Sequence, residues 1–351
     1  MSSHKSKKRK GTADSKPHSS NGKHHDTSKP SAIFKAAKGR EHTLSIALPG
    51  SIIANALTHE QKTALAGQIA RACAVFCVDE IVIFDDGQAQ TRPPEQGGYT
   101  AFADPDFFLY HVLSYLETPP HLRKALFPMH PDLRTAGALP SLDMPHHMRS
   151  DESCPYREGI AAKAAHRRDG STGTMVECGL QQAAHVPLEL EANTRITLRL
   201  PMATNGSLEC EAVSPDAPRE EAGYYWGYSV RQASSLSNIF TECPYDGGYD
   251  VSIGTSERGH PVTSLLNPDS ERRVDPTWTH LLVVFGGVAG LEVALAADQE
   301  LQAAGVKEPS EIFDNWINLA PGQGSRTIRT EEAVWIGLTA LTPLMEARNA
   351  V

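Results

Sequence analysis

Asn318-Leu319-Ala320-Pro321-Gly322-Gln323-Gly324-Ser325-Arg326-Thr327-Ile328-Arg329-Thr330-Glu331-Glu332-Ala333 begins where an apolar run ends and leads into an amphipathic helical pattern. A glycine-bearing loop is thereby placed at the carboxyl end of a strand. In open α/β sheets that is where ligands gather. Glycine lets backbone come close to a bound molecule. The free N–H groups of the helix start favour anionic or acceptor-rich groups, and Arg326 and Arg329 suit carboxylate or phosphate.

On its N-terminal side the same alternation recurs. Leu44-Ser45-Ile46-Ala47-Leu48 stops at Pro49-Gly50, a strand and turn. Within 60–77, Leu65, Ile69, Cys73 and Phe76-Cys77 recur at helical spacing, with Lys62 and Arg71 off the stripe. Glu80-Ile81-Val82-Ile83-Phe84 reads as a buried strand, 88–103 as a loop and 104–118 as a helix before Pro119-Pro120. After residue 223 the pattern resumes with an apolar run at 224–230 and a helix at about 231–240. Strands follow at about 249–254, 281–286 and 312–318, and a final helix at about 329–345 carries Val334, Leu338, Leu341 and Met345 on one face. Strands alternating with helices, with near-continuous apolar strands, predict an α/β fold with a parallel sheet.

Two regions stand apart. Residues 129–222 hold short segments divided by Gly, Pro and Asn, among them Gly159-Ile160-Ala161, Thr174-Met175-Val176-Glu177-Cys178 and Arg195-Ile196-Thr197-Leu198-Arg199-Leu200. They predict a β-rich insertion, with 201–222 an irregular loop. Residues 1–42 are polar, carry 11 Lys+Arg against 3 Asp+Glu, and predict a disordered basic tail. Lys7-Lys8-Arg9-Lys10 within it suits a nuclear-localisation or nucleic-acid patch as well as a plain solubilising tail. The chain as a whole is −9, so removing the +8 of the tail leaves −17 for residues 43–351. An acidic body does not suit broad phosphate binding, so a nucleic-acid surface has to be a local basic patch. No apolar run approaches a transmembrane length, and the basic, polar start is not a secretory signal. Six cysteines in 351 residues do not suggest a disulfide framework.

Three loops end the last three strands: Gly254-Thr255-Ser256-Glu257-Arg258-Gly259, Phe285-Gly286-Gly287-Val288-Ala289-Gly290, and 318–333. Read alone, the glycine pairs are equally tight turns. Arg258 is equally a solvated arginine beside a capping Thr255 or Ser256, and Arg326, Arg329 and Glu331 equally a surface ladder. Cys73 and Cys77 lie on an apolar stripe with no histidine pair to complete a metal site. His146-His147, beside Pro145 and Met148, read as a structural or RNA-facing hinge, and Tyr224, Trp226 and Tyr228 as core in preference to a base-stacking face. The G-x-G-x-x-G dinucleotide signature after a first strand is absent. No metal is expected.

NLAPGQGSRTIRTEEA (318–333) resembles the C-terminal signature of the SPOUT methyltransferases, specifically the eukaryotic and archaeal branch of RNA methyltransferases with an inserted β-domain. The same resemblance is carried in order by TLSIALPGSI (43–52), LAGQIARACAVFCVDEIVIFDD (65–86), LRKALFP (122–128), DMPHHMR (143–149), YYWGYSVRQASSLSNIF (224–240), YDVSIGTSERG (249–259) and VVFGGVAGLE (283–292). It implies a SPOUT α/β-knot, with a deep trefoil knot, formed by 43–128 and 223–351. An OB-like RNA-binding domain is then inserted at 129–222. It further implies an S-adenosyl-L-methionine-dependent RNA methyltransferase acting on N3 of a uridine of large-subunit rRNA.

By the same resemblance, Thr255, Gly286, Gly287, Asn318, Leu319, Gly322, Gln323, Gly324, Thr327 and Ile328 bind the cofactor. Arg258 is catalytic, stabilising the uridine anion because an arginine stays protonated. Arg326, Arg329 and Glu331 face RNA. Leu319 stands where a small polar residue such as Thr is expected. A homodimer located in the nucleus, in the nucleolus or also the cytoplasm, completes what the resemblance implies. It leaves two alternatives open: a SPOUT enzyme acting on protein arginine, and a non-catalytic RNA-binding, assembly or spindle-associated scaffold that keeps the fold.

Overall fold

The computed structural model describes residues 38–89, 91–93, 97–166, 172–201 and 208–351. The basic patch at residues 7–10 lies outside them. The first strand, β1 (Thr43–Pro49), is buried along its whole length. A 3₁₀ turn then leads to α1 (His59–Val75), whose start is closed by a capping box of Thr58 and Gln61. Next come β2 (Glu80–Phe84), α2 (Pro105–Glu117) and α3 (Pro120–Leu126). Both of these helices carry proline in the first turn, where its missing N–H costs nothing. The insertion holds β3 (Tyr156–His166), β4 (Thr172–Glu177), β5 (Ala184–Val186), β6 (Arg195–Arg199) and β7 (Glu211–Val213), followed by α4 (Ala217–Ala222). The chain returns through β8 (Ser229–Ala233), α5 (Asn238–Thr241), β9 (Val251–Pro261), β10 (His280–Val284), α6 (Glu292–Ala297), α7 (Gln299–Ala303) and β11 (Asn315–Asn318) to α8 (Thr330–Asn349).

One sheet has the order β11-β9-β10-β1-β2-β8 with every pairing parallel. Its residues alternate between two cores. Ile46, Leu48, Ile81 and Val283 pack under α1, α2 and α8; Ala47, Val82, Phe84 and Val284 face α6 and the segment around Leu236 and Phe313. Burial on both faces is why these strands read as unbroken apolar runs. The second sheet is antiparallel, in the order β5-β4-β3-β6-β7, around a small core of its own that includes Val176, Val186 and Leu198. A parallel bridge between His185 and Glu209 brings β5 beside the segment that enters β7.

The two sheets are joined by buried charge. The Arg195 guanidinium donates to Glu117 Oε2 at 2.6 Å and to Glu158 Oε2 at 2.6 Å. Glu158 Oε1 also accepts from Thr197 Oγ1 and Trp226 Nε1. His146 and His147 both direct Nε2 at the Glu117 carbonyl oxygen. Burial, with His146 alongside, pushes His147 down to about 3. The pair is therefore packed under this junction. Trp226 and Tyr228 are core, and Tyr228 donates to the Leu113 carbonyl oxygen.

Several expectations are corrected. No helix spans 231–240: Val230-Arg231-Gln232-Ala233 pair with β2 as the sheet's edge, Arg231 holds Glu80 at 2.8 Å, and only Asn238–Thr241 is helical. Lys62, off the apolar stripe, is nonetheless buried. It is 1% exposed, and its Nζ donates to the carbonyl oxygens of Ile53 and Ala56, closing the 3₁₀ turn before α1. The 201–222 stretch is not irregular throughout, since β7 and α4 lie in it, and 129–155 contain turns and no strand.

Candidate functional site

The carboxyl ends of β9, β10 and β11 converge on a cavity of about 650 Å³. The first wall comes from β9, which does not stop at Gly254 but runs to Pro261. Trp316 lies opposite Gly254, and its neighbour Ile317 lies opposite His260. Residues 255–259 are therefore an excursion pushed out of the pairing, and they carry Thr255, Ser256, Glu257 and Arg258 to the cavity. Thr255 Oγ1 donates to the Val284 carbonyl oxygen at 2.9 Å, fixing this excursion to β10.

The second wall is the turn after β10. A Cβ on Gly286 would sit 2.8 Å from the Gly290 carbonyl carbon, so only glycine permits this close a return. Gly290 itself has φ +76°. The third wall is 318–330. Asn318 Nδ2 donates to the Glu257 carbonyl oxygen at 2.7 Å, and its Oδ1 accepts from the Ala320 N–H, so one side chain joins the first and third walls. Leu319 packs its side chain against the core, within reach of Gly337 and Phe285. Its unexpected apolar character is thereby absorbed by packing, and its backbone is left on the cavity side. Thr330 Oγ1 donates to the Gly286 carbonyl oxygen at 2.9 Å.

Of the residues singled out from sequence, Thr255, Arg258, Gly286, Gly287, Asn318, Leu319, Gln323, Arg326, Thr327, Ile328 and Arg329 line this one cavity. Gly322 and Gly324 lie in the exposed turn beyond it, where a Cβ would meet nothing within 4 Å. Glu331 is buried in the first turn of α8, with Oε1 3.9 Å from Arg329 Nη1, and does not line the cavity. The charged lining is three arginines, 258, 326 and 329, against Glu257 and Glu292. This is a local excess of positive charge on a body whose net charge is negative.

Asn55, from the turn after β1, and Glu292, at the start of α6, are lining residues that sequence reasoning missed. Glu292 sits inside the quoted VVFGGVAGLE segment, so a carboxylate six residues after Gly286 was the available signal. Its Oε1 is 3.5 Å from Arg258 Nη1.

One group elsewhere has the residue types of a metal site: His111, His130 and Asp132. Hydrogen bonds account for it. Asp132 accepts from Thr100 N, Thr100 Oγ1 and His111 Nδ1, and His130 Nδ1 accepts from the Asp132 N–H.

Residues 43–341 match a family described as "Putative RNA methyltransferase". Over 317 residues the chain is 49% identical to the human 28S rRNA (uridine-N(3))-methyltransferase, covering 89% of this chain and 81% of the human one. It is 46% identical over 320 residues to the mouse protein of the same description, covering 88% of this chain and 78% of that one. The Drosophila melanogaster protein of that description is 40% identical over 324 residues, covering 89% and 64%.

Proposed function

The chain belongs to this family of RNA methyltransferases, and from that premise we propose that the three-walled cavity binds S-adenosyl-L-methionine beside a uridine of large-subunit rRNA, which is methylated at N3. The observation that carries the reading is the convergence of GTSERG, FGGVAG and PGQGSRTIRT on one cavity in a chain 49% identical to a uridine-N3 methyltransferase. The cavity fits such a donor in size. Its close glycine return at Gly286 and the backbone of 319–328 suit a ligand rich in hydrogen-bonding groups. Bound there, the donor supplies an electrophilic methyl group.

The chain's own residues do the rest. Thr255, Gly286, Gly287, Asn318, Leu319, Gln323, Thr327 and Ile328 hold the donor, largely through main chain, because the Asn318 side chain is already committed to Glu257 and Ala320. Arg258 remains charged and stabilises the anion that develops on the uracil ring. Arg326 and Arg329 engage RNA phosphates. Alignment of the two reactants accounts for much of the rate.

We further propose a deep trefoil knot in the sheet's carboxyl half, a homodimer and a nuclear or nucleolar location. The insertion is proposed as an OB-like RNA-binding barrel. Its strand order, with β3 between β4 and β6 and the bridge from His185 to Glu209 drawing the two edges together, supports that reading. Among the described residues no helix is long and apolar enough to cross a membrane.

The test is titration calorimetry with S-adenosylhomocysteine on the wild type and Gly286→Trp, together with mapping of 3-methyluridine in rRNA from cells lacking the protein. Binding abolished by Gly286→Trp, and a single site of lost methylation, are expected. A well-folded protein that binds no S-adenosylhomocysteine sinks the proposal and favours the scaffold alternative.

A further inference from the structure

Methylation at uridine N3 requires the N3 proton to leave, and no arginine can accept it at neutral pH. The cavity contains no histidine, aspartate, lysine, cysteine or tyrosine among its lining residues. Its only side chains able to take up a proton are Glu257 and Glu292. Resting on the uridine-N3 reading, we infer that Glu292 is the proton acceptor.

Two observations separate Glu292 from Glu257. Glu292 Oε1 is 3.5 Å from Nη1 of Arg258, the residue positioned to stabilise the uracil anion. A Cβ on Gly290 would lie 2.2 Å from Glu292 Oε2, so the carboxylate is folded back over the glycine turn that walls the cavity. That position exists because residue 290 has no side chain. Like that of the exposed Glu257, the carboxylate is open to substrate, at 38% exposure, whereas a structural acid paired with arginine in a core is closed to it. Glu257, by contrast, contributes its main-chain carbonyl to Asn318 and so serves the wall itself.

The chemistry balances within the site. The N3–H bond breaks and an O–H bond forms on the Glu292 carboxylate. The electron pair left on N3 makes the new N–CH3 bond as the donor's S–CH3 bond breaks, that bond's electron pair passing to sulfur and S-adenosylhomocysteine leaving. Protonated Glu292 then returns its proton to water through the open side of the cavity. Arg258 and Glu292 thus act as a unit, the arginine holding negative charge on the base while the carboxylate removes the proton. This pairing also explains why a cation at the target nucleotide needs an anion beside it: without Glu292, Arg258 stabilises an anion that nothing forms.

The experiment uses an in vitro large-subunit rRNA transcript, made with either uridine or 5-fluorouridine, and three proteins: wild type, Glu292→Gln and Glu257→Gln. Fluorine at C5 acidifies N3–H, so a substrate carrying it needs less help from a base. Glutamine keeps the shape of glutamate and can still accept from Arg258, but it cannot take a proton. The expected result for Glu292→Gln is an unchanged S-adenosylhomocysteine affinity by calorimetry, a methylation rate on uridine RNA down by about 100-fold or more, and most of that loss recovered on 5-fluorouridine RNA.

The inference is overturned if Glu292→Gln methylates within about threefold of wild type, if it is equally poor on both transcripts, if it loses S-adenosylhomocysteine binding, or if Glu257→Gln shows the larger, fluorine-rescued loss. Should the wild type itself form no 3-methyluridine on either transcript while binding S-adenosylhomocysteine, the uridine-N3 reading falls first and this inference with it.

Discussion

Thr330 Oγ1 donates to the Gly286 carbonyl oxygen at 2.9 Å, joining the first turn of α8 to the turn that ends β10, 44 residues earlier. Thr330 is 3% exposed, so the bond is sheltered from water. It fixes the gap between two walls of the cavity. Replacing it by valine keeps the volume and removes the donor. Thr330→Val should cost about 1–2 kcal/mol in stability and weaken S-adenosylhomocysteine binding by roughly 10-fold, since misplacement of a wall is transmitted to every contact it makes. Urea unfolding and calorimetry on the same preparation check both.

Gly286→Ala tests the close return more gently than tryptophan does. Its Cβ would meet the backbone of Gly290 at 2.8 Å, and backbone cannot swing aside as a side chain can. The turn must shift, so S-adenosylhomocysteine affinity should fall by at least about 10-fold, while a buried sheet of this size keeps the fold within about 1–3 kcal/mol of wild type. Retained binding at wild-type affinity would mean that the second wall does not touch the ligand.

Arg258→Ala and Arg258→Lys separate holding from catalysis. The guanidinium is exposed at 75% and, among the described residues, pairs with Glu292, so its removal should leave stability within about 0.5 kcal/mol. S-adenosylhomocysteine affinity should move by less than about threefold, while methyl transfer falls by about 100-fold, as for the loss of one preorganised charge at a developing anion. Single-turnover rates beside calorimetric affinities measure the split.

Much of this arrangement is legible in the chain. The parallel sheet announces itself because Ile46, Leu48 and Val283 on one face and Ala47, Val82 and Val284 on the other are all buried, leaving no polar period to confuse the reading. The cavity loops are contiguous motifs, so each could be recognised without knowing its neighbours. What failed depended on neighbours. Val230-Arg231-Gln232-Ala233 becomes a strand only because β2 offers a free edge and Glu80 a partner for Arg231. Lys62 goes inward only because two carbonyl oxygens of the preceding turn need a donor. The pairing of Arg258 with Glu292 spans 34 residues and follows from how β9 and β10 lie side by side.

Arg195 offers a stability test away from the cavity. It is shared by Glu117 and Glu158, which are 5% and 3% exposed. Burial disfavours a charged Glu117, yet Arg195 and His146 hold its carboxyl well below the usual carboxylate range. Arg195→Ala leaves two buried carboxylates without their cation and should cost about 3–5 kcal/mol. Differential scanning calorimetry should show the loss, with S-adenosylhomocysteine binding at low temperature preserved because the network lies at the insertion.

Asp106 sets a pH dependence of the opposite sign to an ion pair. Burial, reinforced by Asp85, Asp104 and Asp86, pushes its carboxyl up to about 7 from an ordinary 3.8. A folded-state value above the unfolded one means the group costs nothing below about pH 4 and destabilises progressively as pH rises through 7. Asp106→Asn should therefore gain stability relative to wild type between pH 5 and pH 8, by about 1–2 kcal/mol after allowance for solvent screening. Melting curves of the two proteins at both pH values give the difference directly; a gap that shrinks as pH rises would contradict it.

The register that sets Thr43 beside His280 has a consequence for how the protein comes into being. The ribosome releases β1 and β2 long before their partner β10, and an entire second sheet emerges in the interval. The central strand of the main sheet must wait, half-paired, until residue 284 has left the exit tunnel, and such late, non-local closure is slow and exposed to aggregation. The cavity comes later still, because its third wall ends at the start of α8. The cavity is thus complete only once residue 330 has emerged, well after the strands that carry it. A chain cut short before β10 would expose a sticky, unfinished sheet edge and would lack two of the cavity's three walls.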